Sequence, residues 1–325
     1  MFSDVRAINE LVQRESAFVD AIVHEVSKVI VGQKEMIERI LIGLLTGGHV
    51  LVEGVPGLAK TLTVKSVCEA VQAQFSRVQF TPDLLPADVV GTVIYNQQKG
   101  EFYAKPGPIF ANLVLADEIN RAPAKVQSAL LEAMQELQCT IGDTTYALPK
   151  PFMVLATQNP LEQEGTYPLP EAQLDRFLME IDVGYPDREA ERRILFETTG
   201  SEETLPKPAM TAEDLMAAQR LVRRLPVGDS VVEAILALVR SARPGTDGAG
   251  DAKFIAWGPS PRASQALMLA VRARALLDAR LAPSIDDVVE LAEPILKHRM
   301  ALTFTARAEG ETIEAVVGRL KAQIG

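Results

Sequence analysis

Cysteine is scarce in this sequence: Cys68 and Cys139 stand far apart, with no C-x-x-C spacing and no histidine companion. That excludes a disulfide framework and a zinc site of ordinary spacing, and leaves two thiols expected to be buried in a reducing compartment. Positive charge is outnumbered, 33 Lys and Arg against 43 Asp and Glu, for a net charge of -10. Such a balance disfavours a generally basic nucleic-acid binder and makes a protein or small-molecule partner the expectation. No apolar run is long enough to span a bilayer, and Met1-Phe2-Ser3-Asp4 lacks the basic and apolar regions of a secretory signal, so the cytoplasm is the expected location. Compositional bias is missing too: 47% hydrophobic and 23% charged residues describe an ordinary globular protein, and 325 residues suffice for two domains.

Apolar periodicity organises the chain. Residues 1 to about 48 have helical spacing, with Val12, Phe18, Ile22, Val26 and Val29 on one run, Ile37, Ile40, Leu41 and Leu44 on the next, and a break at Val31-Gly32-Gln33. From Val50 short apolar runs alternate with helical stretches: Val50 to Val52, Ser76 to Phe80, Leu113 to Ala116, Phe152 to Ala156 and Phe177 to Val183. This alternation predicts an α/β fold, a parallel sheet covered on both faces. Two hairpins interrupt it, Gly91 to Ala104 and Thr140 to Leu148. Between them Val126, Ala129, Leu130, Ala133, Met134 and Leu137 fall on one helical face, expected to be core. After Gly184-Tyr185-Pro186-Asp187 strand signals stop, which predicts a boundary between residues 1–184 and an all-α domain, 185–325. There, Thr211 to Asp214 and Ser284 to Asp287 fit capping boxes, Ser260-Pro261 fits a helix start, Pro294 should break or kink its helix, and Gly245 to Gly250 reads as a loop.

Glu53-Gly54-Val55-Pro56-Gly57-Leu58-Ala59-Lys60-Thr61 joins the first of these strands to a helix. Such a loop directs backbone N–H groups and the positive end of a helix at one point, suited to phosphate; Lys60 would reach the β- and γ-phosphates and Thr61 would ligate Mg2+. Ala59 stands where G-x-x-x-x-G-K-[ST] has its second glycine, tolerable if the backbone there is not left-handed. A plain strand-to-helix turn is the alternative. A later strand ends in Asp117-Glu118, where Asp117 could hold the Mg2+ shell through water and Glu118 could polarise an attacking water, or where a solvated acidic turn could lie. A third strand runs into Asn159, able to contact a γ-phosphate and orient water. Arg176 and Arg262 are the candidate cations for charge that develops in phosphoryl transfer; Arg192, Arg193, Arg223 and Arg224 read as solvated helix faces.

Taken together, Gly54 to Thr61, Leu115 to Pro123, Ala156 to Pro160 and Leu169 to Phe177 closely resemble the MoxR family of AAA+ ATPases. Thr81 to Pro86, Gly107 to Phe110, Gly165 to Pro168 and Leu296 to Arg299 extend the resemblance over nearly the whole chain. It implies a P-loop AAA+ core with helix-2 and pre-sensor-1 hairpin insertions, at 91–104 and 140–148, followed by an all-α lid. It further implies that the nucleotide is ATP with Mg2+, held by Val31, Gly32, Gly54, Val55, Pro56, Gly57, Leu58, Ala59, Lys60, Thr61, Leu62 and Asp117, with Thr61 and Asp117 serving the metal. Glu118 would be the Walker B base, Asn159 sensor 1, Arg176 the arginine finger and Arg262 sensor 2, the last in cis or in trans. Alanine before the P-loop lysine is usual in that family.

The function implied is ATP-driven remodelling or maturation of a protein complex, chaperone-like, extending to metal or cofactor insertion. Expected partners are further copies of the chain in a ring, commonly a hexamer, and a von Willebrand factor A-domain protein. Competing readings are the ATPase subunit of a metal chelatase, which shares the insertions, a nucleotide-gated scaffold with little turnover, and a DNA motor. The acidic balance weighs against the DNA motor, and Glu118, Asn159 and Arg176 weigh against the scaffold. Phe102 and Tyr103 on the first hairpin are packing residues or a grip on a substrate chain.

Overall fold

The computed structural model describes residues 2–55, 57–160, 165–198, 205–245 and 251–324. Of the positions singled out above, Pro56 and residues 246–250 of the glycine-rich loop lie outside them. In chain order the helices are α1 (Phe2–Ser27), α2 (Lys34–Thr46), α3 (Lys60–Ala70), α4 (Pro86–Val90), α5 (Ala124–Glu136), α6 (Glu171–Leu174), α7 (Arg188–Thr198), α8 (Ala212–Val222), α9 (Asp229–Ser241), α10 (Pro261–Leu277), α11 (Ile285–Leu296), α12 (Phe304–Ala308) and α13 (Ile313–Lys321). The strands are β1 (Val50–Gly54), β2 (Phe75–Gln79), β3 (Gly91–Asn96), β4 (Glu101–Pro106), β5 (Leu113–Asp117), β6 (Gln138–Ile141), β7 (Thr144–Ala147), β8 (Met153–Gln158), β9 (Met179–Val183), β10 (Ile255–Trp257) and β11 (Ala301–Leu302).

The five apolar runs form one sheet in the order β2-β5-β8-β1-β9, with β1 paired to β8, β8 to β5 and β5 to β2, all parallel. Leu113 to Ala116 and Met153 to Thr157 are buried without alternation, the pattern of central strands covered on both faces. The two predicted insertions are antiparallel hairpins, β3–β4 and β6–β7. Cys68 and Cys139 are buried free thiols, and burial pushes them up to about 12 and about 11. Among the described residues no helix is long and apolar enough to cross a membrane.

Packing divides the chain into two compact units, Ala21–Arg176 with Ile181–Met216, and Met1–Asp20 with Phe177–Glu180 and Ala217–Gly325. This partition differs from the change of texture at 184/185 for reasons visible in local contacts. Residues after Pro186 return to the sheet-containing unit: the N–H groups of Ala209 and Met210 both donate to the Ala70 carbonyl, at 2.8 and 3.1 Å. The start of α1 goes with the other unit, where Gln13 Nε2 donates to the Ala279 carbonyl.

Three local expectations need correction. Strand structure does not stop at residue 187, because β10 and β11 pair, although at three and two residues they are too short to leave a periodic signal. Of the two outcomes expected at Pro294, a break or a kink, the break is contradicted, since α11 continues to Leu296 before a 3-10 turn at Lys297–Arg299. Leu137 is not core: it caps α5 with φ 52 and is 40% exposed, while Val126, Leu130, Ala133 and Met134 are buried as expected. The capping readings hold, with Ser284 N–H donating to Asp287 Oδ2 at 2.7 Å, Thr211 and Asp214 bonded reciprocally, and Ser260 Oγ accepting from the Arg262 N–H.

Candidate functional site

Register in the sheet lines up polar residues along one edge. Gln79 of β2 lies opposite Asp117 of β5, Ala116 opposite Ala156 of β8, and Thr157 opposite Val52 of β1. Gln79, Asp117 and Thr157 therefore meet at the carboxyl ends of neighbouring parallel strands, the edge where open α/β sheets bind ligands.

The loop from β1 to α3 closes over this edge. Gly54 passes so near β9 that a Cβ there would sit 2.7 Å from the Val183 carbonyl oxygen, which side chains other than hydrogen do not permit. Lys60 opens α3 and donates from Nζ to the Gly54 carbonyl at 2.6 Å, so the loop is pinned across its own base. Burial lowers the Lys60 pKa from the usual lysine value, against the opposing pull of Asp117, Glu118 and Glu53. Ala59 contradicts the condition drawn from sequence: its backbone is left-handed, at φ 56 and ψ 17. The cost to an L-residue is about 1–2 kcal/mol. It is held there as the N-cap of α3, its carbonyl accepting from both the Thr63 N–H and the Thr63 hydroxyl, at 2.8 and 3.0 Å.

The two carboxylates are tethered differently. Asp117 Oδ1 accepts from the Thr157 hydroxyl at 2.6 Å, and Oδ2 accepts from Arg77 Nη2 at 2.6 Å and Nε at 3.1 Å. Thr157 Oγ1 in turn accepts from the Glu118 N–H at 2.9 Å, so one hydroxyl sets both acids. Glu118 is left-handed, φ 56, which turns its side chain away from the strand direction. Its Oε2 accepts from Gln79 Nε2 at 2.8 Å and from Arg121 Nη1 at 3.1 Å; among the described residues no hydrogen bond reaches Oε1. An acid anchored through one oxygen keeps the other for a water.

A cleft of about 430 Å³ lies between these groups, lined by Gly57 to Leu62, Asp117, Glu118, Thr157, Gln158, Asn159, Arg77 and Gln79. That volume is within the usual range for small-ligand sites. The structure thus brings together most of the expected positions. Gly54 and Val55, at the start of the loop, and Val31 and Gly32, at the α1–α2 turn, are not among the lining residues; a Cβ on Gly32 would be 2.5 Å from Ala190 Cβ. Arg176 also stands outside the lining: Nη1 donates to the Leu131 carbonyl at 2.8 Å, and Nε is buried with no hydrogen-bond partner among the described residues. Arg262, exposed, is the second residue of α10 in the other compact unit.

Arg77, Gln79 and Thr157 were not foreseen. The first two flank Val78 on β2 and carry no local signature; only the adjacency of β2, β5 and β8 gives them their partners. Chemically the cleft offers backbone N–H groups and an ammonium for phosphate. A hydroxyl from Thr61 and a carboxylate from Asp117, with no soft donor, fit a hard divalent cation. Asp117 already attracts a cation, the half-exposed Arg77.

Comparison with known proteins agrees with this geometry. Residues 49–179 match the family model described as ATPase family associated with various cellular activities (AAA), and residues 251–320 match the AAA lid domain. The Chaperone MoxR1 of Mycobacterium tuberculosis is 48% identical over 92% of this chain and 79% of its own length. The uncharacterized protein YeaC of Bacillus subtilis is 45% identical over 93% and 92%. Protein MoxR of Paracoccus denitrificans is 31% identical over 85% and 86%. Among solved structures, a crystal structure described as a candidate ATPase from Cytophaga hutchinsonii superposes with a TM-score of 0.92 at 44% identity, covering 99% of this chain and 98% of that one. Likeness of this extent, running through sheet and lid alike, makes the chain a member of the MoxR family of AAA+ ATPases and, with it, an ATP hydrolase.

Proposed function

We propose that this ATPase uses hydrolysis at subunit boundaries of a homo-oligomeric ring, commonly hexameric in the family, to remodel or mature a protein complex. The observation that carries the reading is the shared Thr157 hydroxyl, which ties Asp117 and Glu118 together at the mouth of the Lys60 loop. In this reading backbone N–H groups of Gly57 to Thr61 and the Lys60 ammonium hold the β- and γ-phosphates. Thr61 and, through water, Asp117 hold Mg2+, which when bound supplies charge neutralisation at the phosphates. Glu118 takes the proton of the attacking water through Oε1, and Asn159 orients that water from the end of β8. Arg176, standing outside the lining of its own cleft, serves the neighbouring subunit, and Arg262 acts as sensor 2.

Residues 1–184 then act as the nucleotide-binding domain and 185–325 as the lid. The location is the cytoplasm and the partner a von Willebrand factor A-domain protein, with metal or cofactor insertion as one form the maturation takes. One relative, named as a chaperone, supports the remodelling role. The test is Glu118→Gln, which removes the base and keeps the shape. ATP binding, read by fluorescent-nucleotide anisotropy, should persist while phosphate release falls by about 100-fold or more, within the range that general-base catalysis contributes. Turnover close to wild type in that variant rules the assignment out.

A further inference from the structure

Lys297, His298 and Arg299 follow one another in the 3-10 turn after α11, yet they are only 8%, 5% and 2% exposed. Buried cations are costly unless each is matched with acceptors. Lys297 Nζ meets Glu180 Oε1 at 3.1 Å. The Arg299 guanidinium instead faces backbone: Nη2 donates to the Phe177 carbonyl at 2.5 Å, and Nη1 to the carbonyls of Leu178 at 3.1 Å and Ile295 at 2.5 Å. His298 is neutral beside it, because burial first and the Arg299 charge second push its pKa well below 6.5; its Nε2 lies 2.7 Å from Arg299 Nη1 and 3.2 Å from the Phe177 carbonyl oxygen.

What this cation grips is the backbone immediately following Arg176. The Arg176–Phe177 peptide is where the chain leaves one compact unit and enters the other. Arg176 therefore projects from a point whose C-terminal side is fixed by two Arg299 hydrogen bonds, while its own Nη1 holds the Leu131 carbonyl. A group that must meet charge on another subunit's nucleotide depends on such fixing, since a misplacement of about 1 Å costs about a hundredfold in rate.

Resting on the reading of Arg176 as a finger acting in trans, we propose that Arg299 is its positioning residue. Its fork clamps the Phe177 and Leu178 carbonyls and sets the backbone from which Arg176 reaches the neighbouring site. Lysine keeps the charge but is a point donor that cannot bridge both carbonyls in one plane.

The experiment uses full-length protein in mixed assemblies, with co-assembly checked by native mass spectrometry. An Arg176→Ala subunit accepts a finger and a Lys60→Ala subunit donates one, and their 1:1 mixture should recover ATPase activity. Arg299→Lys added to the donor should cut the recovered turnover by about tenfold or more. The same substitution in the acceptor, whose own finger is already gone, should leave it within about twofold. Equal loss on both sides, as a merely structural role would give, overturns the proposal, and so does no loss from the altered donor. Absence of recovery in the unaltered mixture, with co-assembly established, removes the trans-finger reading itself and the proposal with it.

Discussion

Acidification should loosen the sheet-containing unit through one side chain, His49. The residue precedes β1 and is 8% exposed; its Nδ1 accepts from the Val154 N–H at 3.0 Å, its Nε2 donates to the Met134 carbonyl at 3.2 Å, and Phe152 packs edge-on at 5.8 Å. Only the neutral ring can make both bonds, since protonation turns the Nδ1 acceptor into a donor facing another donor. Burial lowers the pKa from 6.5 to about 4, with the Met134 carbonyl opposing. Between those values the unfolded chain binds a proton that the folded chain refuses, so this contribution is complete above pH 6.5 and is lost as the pH falls toward 4. The loss from pH 7.5 to pH 5 amounts to about 2 kcal/mol from this group. His298 titrates in the same direction but lies in the other unit, so a local measurement is needed. Hydrogen exchange read by mass spectrometry on peptides spanning β8 and the end of α5, corrected for intrinsic rates, isolates it. Wild type should lose about 30-fold in protection over that interval, the same free energy expressed as a ratio. His49→Gln should be less protected at pH 7.5 and nearly flat below it. Parallel slopes in the two proteins would refute a buried neutral His49.

Two further substitutions test the loop and the acid pair. Ala59→Gly relieves a left-handed alanine and should raise stability by about 1 kcal/mol in urea denaturation, whereas a lowered midpoint would mean that the loop is not held at positive φ. Thr157→Val removes the donor to Asp117 Oδ1 and the acceptor for the Glu118 N–H; kcat should fall by about 30-fold, equivalent to about 2 kcal/mol of lost orientation, and retention of half the turnover would count against Thr157 as the tie between the acids.

The parts of the site that could be read from sequence were those written in consecutive residues. Gly54 to Thr61 carries its chemistry in one loop, and Asp117-Glu118 follows a run of four buried apolar residues, so both stood out before any fold was known. Arg77, Gln79 and Thr157 carry no such signature, because a polar side chain at a strand's end acquires meaning only from the strand beside it, and strand order is not a local property. The same holds for His49, whose partners lie in α5 and β8. Ala59 was misjudged for a different reason: intrinsic preference argues against a left-handed alanine, and the capping bonds to Thr63 override it. β10 and β11 escaped because a three-residue and a two-residue strand have no periodicity to detect.

The sheet order also has a consequence for biosynthesis. β1 is made early, yet its partner β8 brings Leu155 opposite Val50, and of the strands made between them β2 and β5 pair with each other while β3–β4 and β6–β7 form separate hairpins. At about 5–20 residues per second the ribosome takes several seconds to deliver that partner. Until then the edge of β1 that β8 will cover stays open, and parallel pairings across such separations are slow to close. The nascent ATPase therefore passes through an interval in which its phosphate loop is complete in sequence but has no sheet to stand on, and that interval is when the chain is most exposed to aggregation and most in need of a holding factor.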